Sequence, residues 1–323
     1  MKRIALVAAL AAAFAAPVFA QSSVTVYGRL NTSIERQKAG DESRTVLQNN
    51  ASRLGFKGSE DLGGGLKANF MIEHRFNVDD GKTSGDAFWS GDSWVGLSGN
   101  FGAVRLGRQT SALYYATADY VSLHNHDTGS SSDALYAYNS RNQNKLSYIT
   151  PSLGGLTGEV QYSLHEGASE DGEKLANQWE LALNFDQGPL HLGGGYSKND
   201  DLKVFAVRAL YELGAFTFGG YYERDKFDDE KRNNFRLSGM YTLGASEFHL
   251  NVGVAGDLGD LDDTGAKQFT VGYNYNLSKR TKLFAFYTKL ANDEAGIYGV
   301  GADNANAAPD DFSSFAVGLR HNF

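Results

Sequence analysis

The stretch VTVYGRLNTSIE at residues 24–35 alternates apolar and polar side chains along its whole length. Val26 and Leu30 fall on one side of this alternation, whereas Arg29 and Glu35 fall on the other. Because successive side chains of a β-strand point to opposite faces, a period of two predicts a strand with one apolar and one polar face. The same alternation recurs in segments spread along the chain: 66–75, 216–223, 268–275 and 315–323. The chain is therefore predicted to be all-β.

Composition excludes several classes of protein. The 323 residues include no cysteine, which excludes a disulfide scaffold and a cysteine-ligated zinc or iron–sulfur site. The 20 Phe, 17 Tyr and 3 Trp residues argue against disorder. The 38 acidic residues against 30 basic ones argue against a nucleic-acid partner, which requires a basic face.

The first twenty residues have the pattern of an export signal. Lys2 and Arg3 precede an apolar run at 4–16, and small residues end the segment at Ala20. The run is too short to span a bilayer well. We therefore predict a cleaved signal peptide at 1–20 and a mature domain at 21–323. Loss of Lys2 and Arg3 changes the formal net charge from −8 to −10.

The connections between the alternating segments give a strand count. No later apolar run is long enough for a membrane-spanning helix, but a closed β-barrel crosses a membrane with alternating strands. Seven short, turn-forming connections alternate with eight longer polar stretches, which implies sixteen strands. We predict a sixteen-stranded antiparallel transmembrane β-barrel. The alternative is a soluble β-sandwich, although sixteen large, aromatic apolar faces do not fit in one core. The longer stretches are 36–45, 77–87, 110–140, 165–177, 197–202, 224–233, 256–266 and 291–311.

Five short segments, in order along the chain, carry a family resemblance. They are SVTVYG (23–28), SRLGFKGSEDLG (52–63), VGLSGNFG (95–102), LGRQ (106–109) and GLRHNF (318–323). With them the whole chain resembles the general porins of Gram-negative outer membranes, in particular the trimeric sixteen-stranded type of β-proteobacteria. The resemblance implies a homotrimer in the outer membrane, each copy enclosing a water-filled diffusion channel with its third loop folded inward. It also implies that Phe323 is a recognition signal for the outer-membrane assembly machinery; the alternative is an ordinary last strand residue.

The longest connection, at about 110–140, is the candidate for narrowing the pore. A sixteen-stranded barrel is too wide for its side chains to fill, so some other segment must give size exclusion. This connection occupies the third-loop position and is rich in Tyr, His and Asp. An ordinary extracellular loop is the alternative.

Charges on the inward faces are predicted to decide ion preference. By alternation, Lys and Arg outnumber Asp and Glu at inward positions, because most acids lie in the longer connections. In the family, basic residues of the early strands face acids of the third loop. The resemblance therefore implies a basic wall of Arg29, Arg53, Arg75 and Lys145, opposed by Asp119 and Asp127. For any one arginine, the alternative is pairing with a neighbouring glutamate, and a register slip of one residue would invert every assignment.

The predicted function is passive diffusion of small hydrophilic solutes and ions, with a mild preference for anions and no enzymatic activity. We predict no cofactor and no resident metal; the pair His124 and His126 lacks a third placed ligand. Divalent cations at the acidic outer loops, bridging to lipopolysaccharide, are one further expectation. The alternatives are a substrate-selective channel, with an aromatic track for sugars or a tight anion site, an adhesion or structural barrel, and an outer-membrane lipase.

Overall fold

The computed structural model describes residues 22–85, 87–123, 129–139, 142–165, 177–199, 201–296, 298–299 and 310–323. Its strands form a single antiparallel sheet that closes on itself. No helix among these residues is long and apolar enough to cross a membrane. The predicted signal peptide lies outside the described residues and stays a prediction.

Seventeen strands follow one another around the barrel. They are β1 (Ser23–Ala39), β2 (Glu42–Asn49), β3 (Arg53–Gly63), β4 (Leu66–Arg75), β5 (Ser93–Gly99), β6 (Gly102–Arg108), β7 (Lys145–Ile149), β8 (Leu156–Ser163), β9 (Gln178–Gln187), β10 (Leu190–Lys198), β11 (Leu202–Leu213), β12 (Phe216–Phe227), β13 (Glu230–Leu243), β14 (Ser246–Ala255), β15 (Ala266–Asn276), β16 (Thr281–Asn292) and β17 (Phe312–Asn322).

These seventeen strands occupy sixteen positions, because β2 and β3 pair with successive parts of β1. The break between them contains Ala51, whose positive φ of 55° interrupts the extended backbone. Asn31 of β1 bridges the break: its backbone N–H donates to Ser52 Oγ and its side-chain Nδ2 donates to the Asn50 carbonyl, both at 3.0 Å. The prediction of a sixteen-stranded barrel is confirmed.

The barrel closes between its first and last strands. β1 pairs with β17 from Arg29 to Ala39. Gly28 and Phe323 then exchange two backbone hydrogen bonds of 3.0 and 3.1 Å. The ring of Phe323 lies over Gly28, where a β-carbon would collide with it. The terminal residue thus takes part in the seam.

The two faces of the wall are as different as the alternation predicted. On β1, Val26 and Ile34 are exposed on the outer face, whereas Asn31 and Glu35 are buried on the inner face. The same order holds around the barrel: large apolar side chains are exposed on the outer face, and the buried side chains are mostly polar. Such a wall is apolar toward lipid and polar toward the lumen.

The lengths of the connections were predicted only in part. All seven short connections are turns, but the prediction of a long connection is wrong for three of the eight longer stretches. Strands β1 and β2 are separated by two residues, β10 and β11 by three, and β12 and β13 by two. The charged residues in these stretches belong to long strands instead; Arg36, for example, pairs with Thr45 across the β1–β2 hairpin. Polar composition indicated loops where the strands simply continue.

Candidate pore constriction

The described residues of the connection between β6 and β7, which are 109–123, 129–139 and 142–144, fold into the barrel, and we call them L3. L3 begins with the short helix α1 (Ala112–Ala116), for which Ser111 is the N-cap and accepts a hydrogen bond from the Tyr114 N–H at 3.2 Å. Ala112, Leu113 and Ala116 are almost fully buried, and α1 packs against β8, β9 and β10. The prediction of an inward-folded third loop is confirmed.

L3 covers one part of the inner wall, and Lys145 lies beneath it. Its ammonium group contacts Glu180 Oε1 at 3.1 Å and Gln161 Oε1 at 2.7 Å. Ser111 of L3 donates to the other oxygen of Glu180 at 2.5 Å. With only 2% of its surface exposed, Lys145 does not border the open lumen. Its assignment to the basic wall is therefore wrong: alternation placed it on the correct face, but L3 covers that face here.

Two further inward arginines are held in the same way. Arg208 lies 3.4 Å from the ring centroid of Tyr120, and its Nε donates to the Ala116 carbonyl at 2.8 Å. Arg236 forms an ion pair of 2.7 Å with Asp133 of L3. We call this region, which contains Lys145, Arg208 and Arg236, the covered wall.

L3 also forms a hydrogen bond to the wall on the other side of the barrel. Ser130 donates to Glu35 Oε2 on β1 at 2.5 Å. Glu35 also accepts hydrogen bonds from Ser33, Gln37 and Ser314 at 2.7 to 3.0 Å. Hydrogen bonds to a buried carboxylate are stronger than those between neutral groups. L3 is thus anchored to β9 at Ser111 and to β1 at Ser130, on opposite sides of the lumen.

Arg29, Arg53 and Arg75 form one row across β1, β3 and β4. Arg53 lies directly opposite Arg29 in one pairing and directly opposite Arg75 in the next. Residues directly opposite share a face, and adjacent strands are about 4.8 Å apart. The three guanidinium groups therefore start from neighbouring points on the inner face.

One glutamate lies within this row. Glu73 Oε1 contacts Arg75 Nε at 3.1 Å and Arg53 Nη1 at 4.0 Å. The alternative that an arginine pairs with a neighbouring glutamate therefore holds in part. The Glu73 carboxylate contacts two guanidinium groups. The row of three arginines therefore has more positive charge than this one carboxylate neutralises.

The row continues onto the last two strands, where no constriction residue was predicted from the sequence. Lys282 of β16 lies opposite Arg320 of β17, and both face inward. The alternation contained the signal, since Arg320 follows the outward Leu319 and Lys282 precedes the outward Leu283. The family resemblance implied basic residues on the early strands and on the strand after the third loop. The basic wall of the structure therefore differs from the predicted one: it lacks Lys145 and consists of Arg29, Arg53, Arg75, Lys282 and Arg320, and the name has this meaning from here on.

Asp119 of L3 faces the basic wall across two recesses. The first recess is bordered by Asp119 and three basic side chains: Arg29, Lys282 and Arg320. The second, of about 420 Å³, is bordered by Asp119 together with Arg53 and Arg75, and its other charged side chains are Asp92, Arg108 and Asp133. The structure thus brings together four of the six predicted constriction residues. Asp127, like His124 and His126, lies outside the described residues, among which no group of three potential metal ligands occurs.

The comparison with protein families decides the identity of the barrel. A family described as "Gram-negative porin" matches residues 5–295. The chain belongs to the Gram-negative porin family. It is an outer-membrane channel, and this family consists of channels rather than enzymes.

Known relatives match this porin over their full length. Outer membrane porin protein 32 of Delftia acidovorans is 33% identical over 362 residues, covering 100% of this chain and 99% of the relative. Major outer membrane protein P.IB of Neisseria meningitidis is 27% identical, covering 96% of this chain and 97% of the relative.

Solved structures match the porin fold. The anion-selective porin from Comamonas acidovorans has a TM-score of 0.80 at 29% identity, covering 94% of this chain and 100% of that one. OmpT of Vibrio cholerae in its trimer form has a TM-score of 0.68 at 16% identity, covering 94% of this chain and 99% of that one. The second likeness concerns the fold alone.

Proposed function

We propose that this porin is a passive diffusion channel for small hydrophilic solutes that prefers anions, and that the basic wall sets this preference. The observation that carries the proposal is the row of basic side chains on adjacent strands, which faces Asp119 of L3 across two recesses. Rings or rows of fixed charge along a pore select ions of the opposite sign.

The charges along the passage support the sign of this preference. Among the described residues, the five of the basic wall and Arg108 contact or border the two recesses, against five acidic residues: Glu73, Glu247, Asp92, Asp119 and Asp133. Of these acids, Asp133 is neutralised by its ion pair with Arg236. The chain as a whole is acidic, with a formal net charge of −8. At physiological ionic strength, charges more than about 8 Å away are largely screened. Acids in the outer connections therefore have little influence on an ion beside the basic wall.

The similarity to the Comamonas porin, whose description is anion-selective, supports the same proposal. The opposition of Asp119 and the basic wall adds a second property, because separated opposite charges create an electric field across the passage. A dipolar solute is oriented by such a field as it passes.

The test is the reversal potential of the purified porin in a planar bilayer under a potassium chloride gradient. We expect the sign that corresponds to chloride permeating faster than potassium. The opposite sign would overturn the proposed preference, while stepwise conductance would still support a channel. Absence of any conductance would favour the alternative of an adhesion or structural barrel.

We propose in addition that three copies form a trimer, and that each copy contacts the others through one side of its barrel. Strands β5, β6 and β7 have seven, seven and five residues, fewer than the 9–11 that a tilted strand needs to cross the hydrocarbon core. Their outer faces are nevertheless apolar, with Val95 and Leu106 more than half exposed. A second copy would cover this low side, as lipid alone cannot match it. Sedimentation of the detergent-solubilised porin should give a trimer mass; a monomer mass would contradict the proposal.

We propose, finally, that Phe323 is recognised by the outer-membrane assembly machinery. Its side chain is 41% exposed on the outer face at the end of the last strand. The variant Phe323→Ala should insert poorly in cells but refold into detergent from the denatured state. Equal insertion of variant and wild type would contradict a recognition role, whereas failure in both settings would indicate a purely structural one.

A further inference from the structure

The second recess described above is bordered by arginines, tyrosines and aspartates. Arg53 and Arg75 of the basic wall border it together with Arg108, and so do tyrosines of L3, among them Tyr114, Tyr115 and Tyr138. Its three carboxylates are Asp92, Asp119 and Asp133, of which Asp133 is paired with Arg236. We call this space the arginine–tyrosine chamber. Its volume of about 420 Å³ falls in the range of small-molecule sites.

Tyr115 is the exposed tyrosine of this chamber. It is 44% exposed, although Ala112, Leu113 and Ala116 on the same helical turn are buried. Packing of α1 onto the wall therefore does not use its ring. Behind it, Tyr114 contacts Tyr138 and Tyr136 edge-to-face, with centroids 5.2 and 5.9 Å apart. These contacts fix the aromatic side of the chamber.

Arg75 is the cation of this chamber that is best placed to bind an anion. Its side chain is 35% exposed, and Glu73 accepts only its Nε–H among the hydrogen bonds of the described residues. A guanidinium has five N–H donors, of which the terminal pair matches a carboxylate. Arg75 and Tyr115 border the same chamber. An anion held by Arg75 therefore enters the space that the ring of Tyr115 borders.

We infer that this chamber favours aromatic carboxylates over aliphatic carboxylates of the same charge and size. The inference rests on the proposed anion preference and names the solute class for which the chamber is built. A neutral sugar would use the tyrosines but not the guanidinium groups, and an inorganic anion would use the guanidinium groups but not the tyrosines. A planar ring that carries a carboxylate uses both.

The test compares benzoate with cyclohexanecarboxylate, which has the same charge and nearly the same size but no aromatic face. Each acid is added to a single porin channel that conducts chloride, and the concentration for half-block is measured. Aromatic pairs contribute enough for about a two- to ten-fold difference in affinity. We expect benzoate to block at a several-fold lower concentration. Equal half-block concentrations in the wild type would overturn the inference.

Variants of Tyr115 locate the effect. Tyr115→Leu should reduce the ratio of the two half-block concentrations to about one, whereas Tyr115→Phe should retain the wild-type ratio. A ratio unchanged in Tyr115→Leu would overturn the assignment to this chamber. The chloride reversal potential, measured on the same channels, tests the proposed function separately. Equal block by both acids with chloride preference retained would remove this inference alone.

Discussion

The basic wall and the covered wall have the same kinds of cationic side chain on the same face of the sheet. In the covered wall, Lys145, Arg208 and Arg236 each meet a partner beneath L3 and are 2 to 3% exposed. In the basic wall, Arg53 and Arg75 border a recess that is open to solute. The comparison teaches that the path of L3, rather than residue type or strand face, decides whether an inward cation stabilises the fold or meets the permeating ion.

The largest expected effect comes from breaking an ion pair of the covered wall. Arg236→Met leaves Asp133 buried without its guanidinium partner, which costs about 3–5 kcal/mol of unfolding free energy. Arg53→Met, in the basic wall, is the matched control and should cost much less, because its side chain is partly solvated. Urea unfolding of both variants in detergent measures the difference. Similar losses in the two variants would remove the distinction between the walls.

The next largest effect tests whether the basic wall extends to the last two strands. Arg320→Gln and Lys282→Gln should each lower the chloride-to-potassium permeability ratio, and so should Arg53→Gln. One charge about 4 Å from an ion contributes about 1 kcal/mol at the dielectric of water, so the ratio should fall by up to about five-fold. Reversal potentials of the three variants provide the check. If only Arg53→Gln lowers the ratio, the wall ends at the early strands.

The smallest effect concerns the opposing acid. Asp119→Asn removes the negative side of the transverse field while leaving the basic wall unchanged. We expect a modest rise in chloride preference, smaller than the change in any basic-wall variant, because Asp92 and Asp133 also border the second recess. Reversal potentials again decide, and a fall in chloride preference would contradict the position assigned to Asp119.

The fold was predictable because period-two alternation is a local property of the sequence. The two faces of the strands follow from it, and the number of strands followed from the connections between the alternating segments. The lengths of three longer connections did not follow, since the hairpin at Arg36 and Thr45 continues as strand through a polar stretch. Polarity distinguishes lipid from water but not loop from strand beyond the membrane.

The candidate site was predictable only in the part that alternation controls. Arg29, Arg53 and Arg75 are correctly inward, and Arg320 was available by the same rule. Lys145 obeys that rule too, and its burial depends on the contact between Ser111 and Glu180, which are 69 residues apart in sequence. Such long-range packing of L3 has no local signature in the sequence.

The most direct test compares reversal of one charge in the lumen with reversal of one charge outside it. Arg75→Glu and Lys279→Glu make the same change in net charge, but Lys279 is exposed in the turn between β15 and β16. The account predicts that Arg75→Glu shifts the reversal potential toward cations, whereas Lys279→Glu stays close to wild type. Equal shifts in the two variants would show that overall charge sets the preference, and would contradict the role of the basic wall.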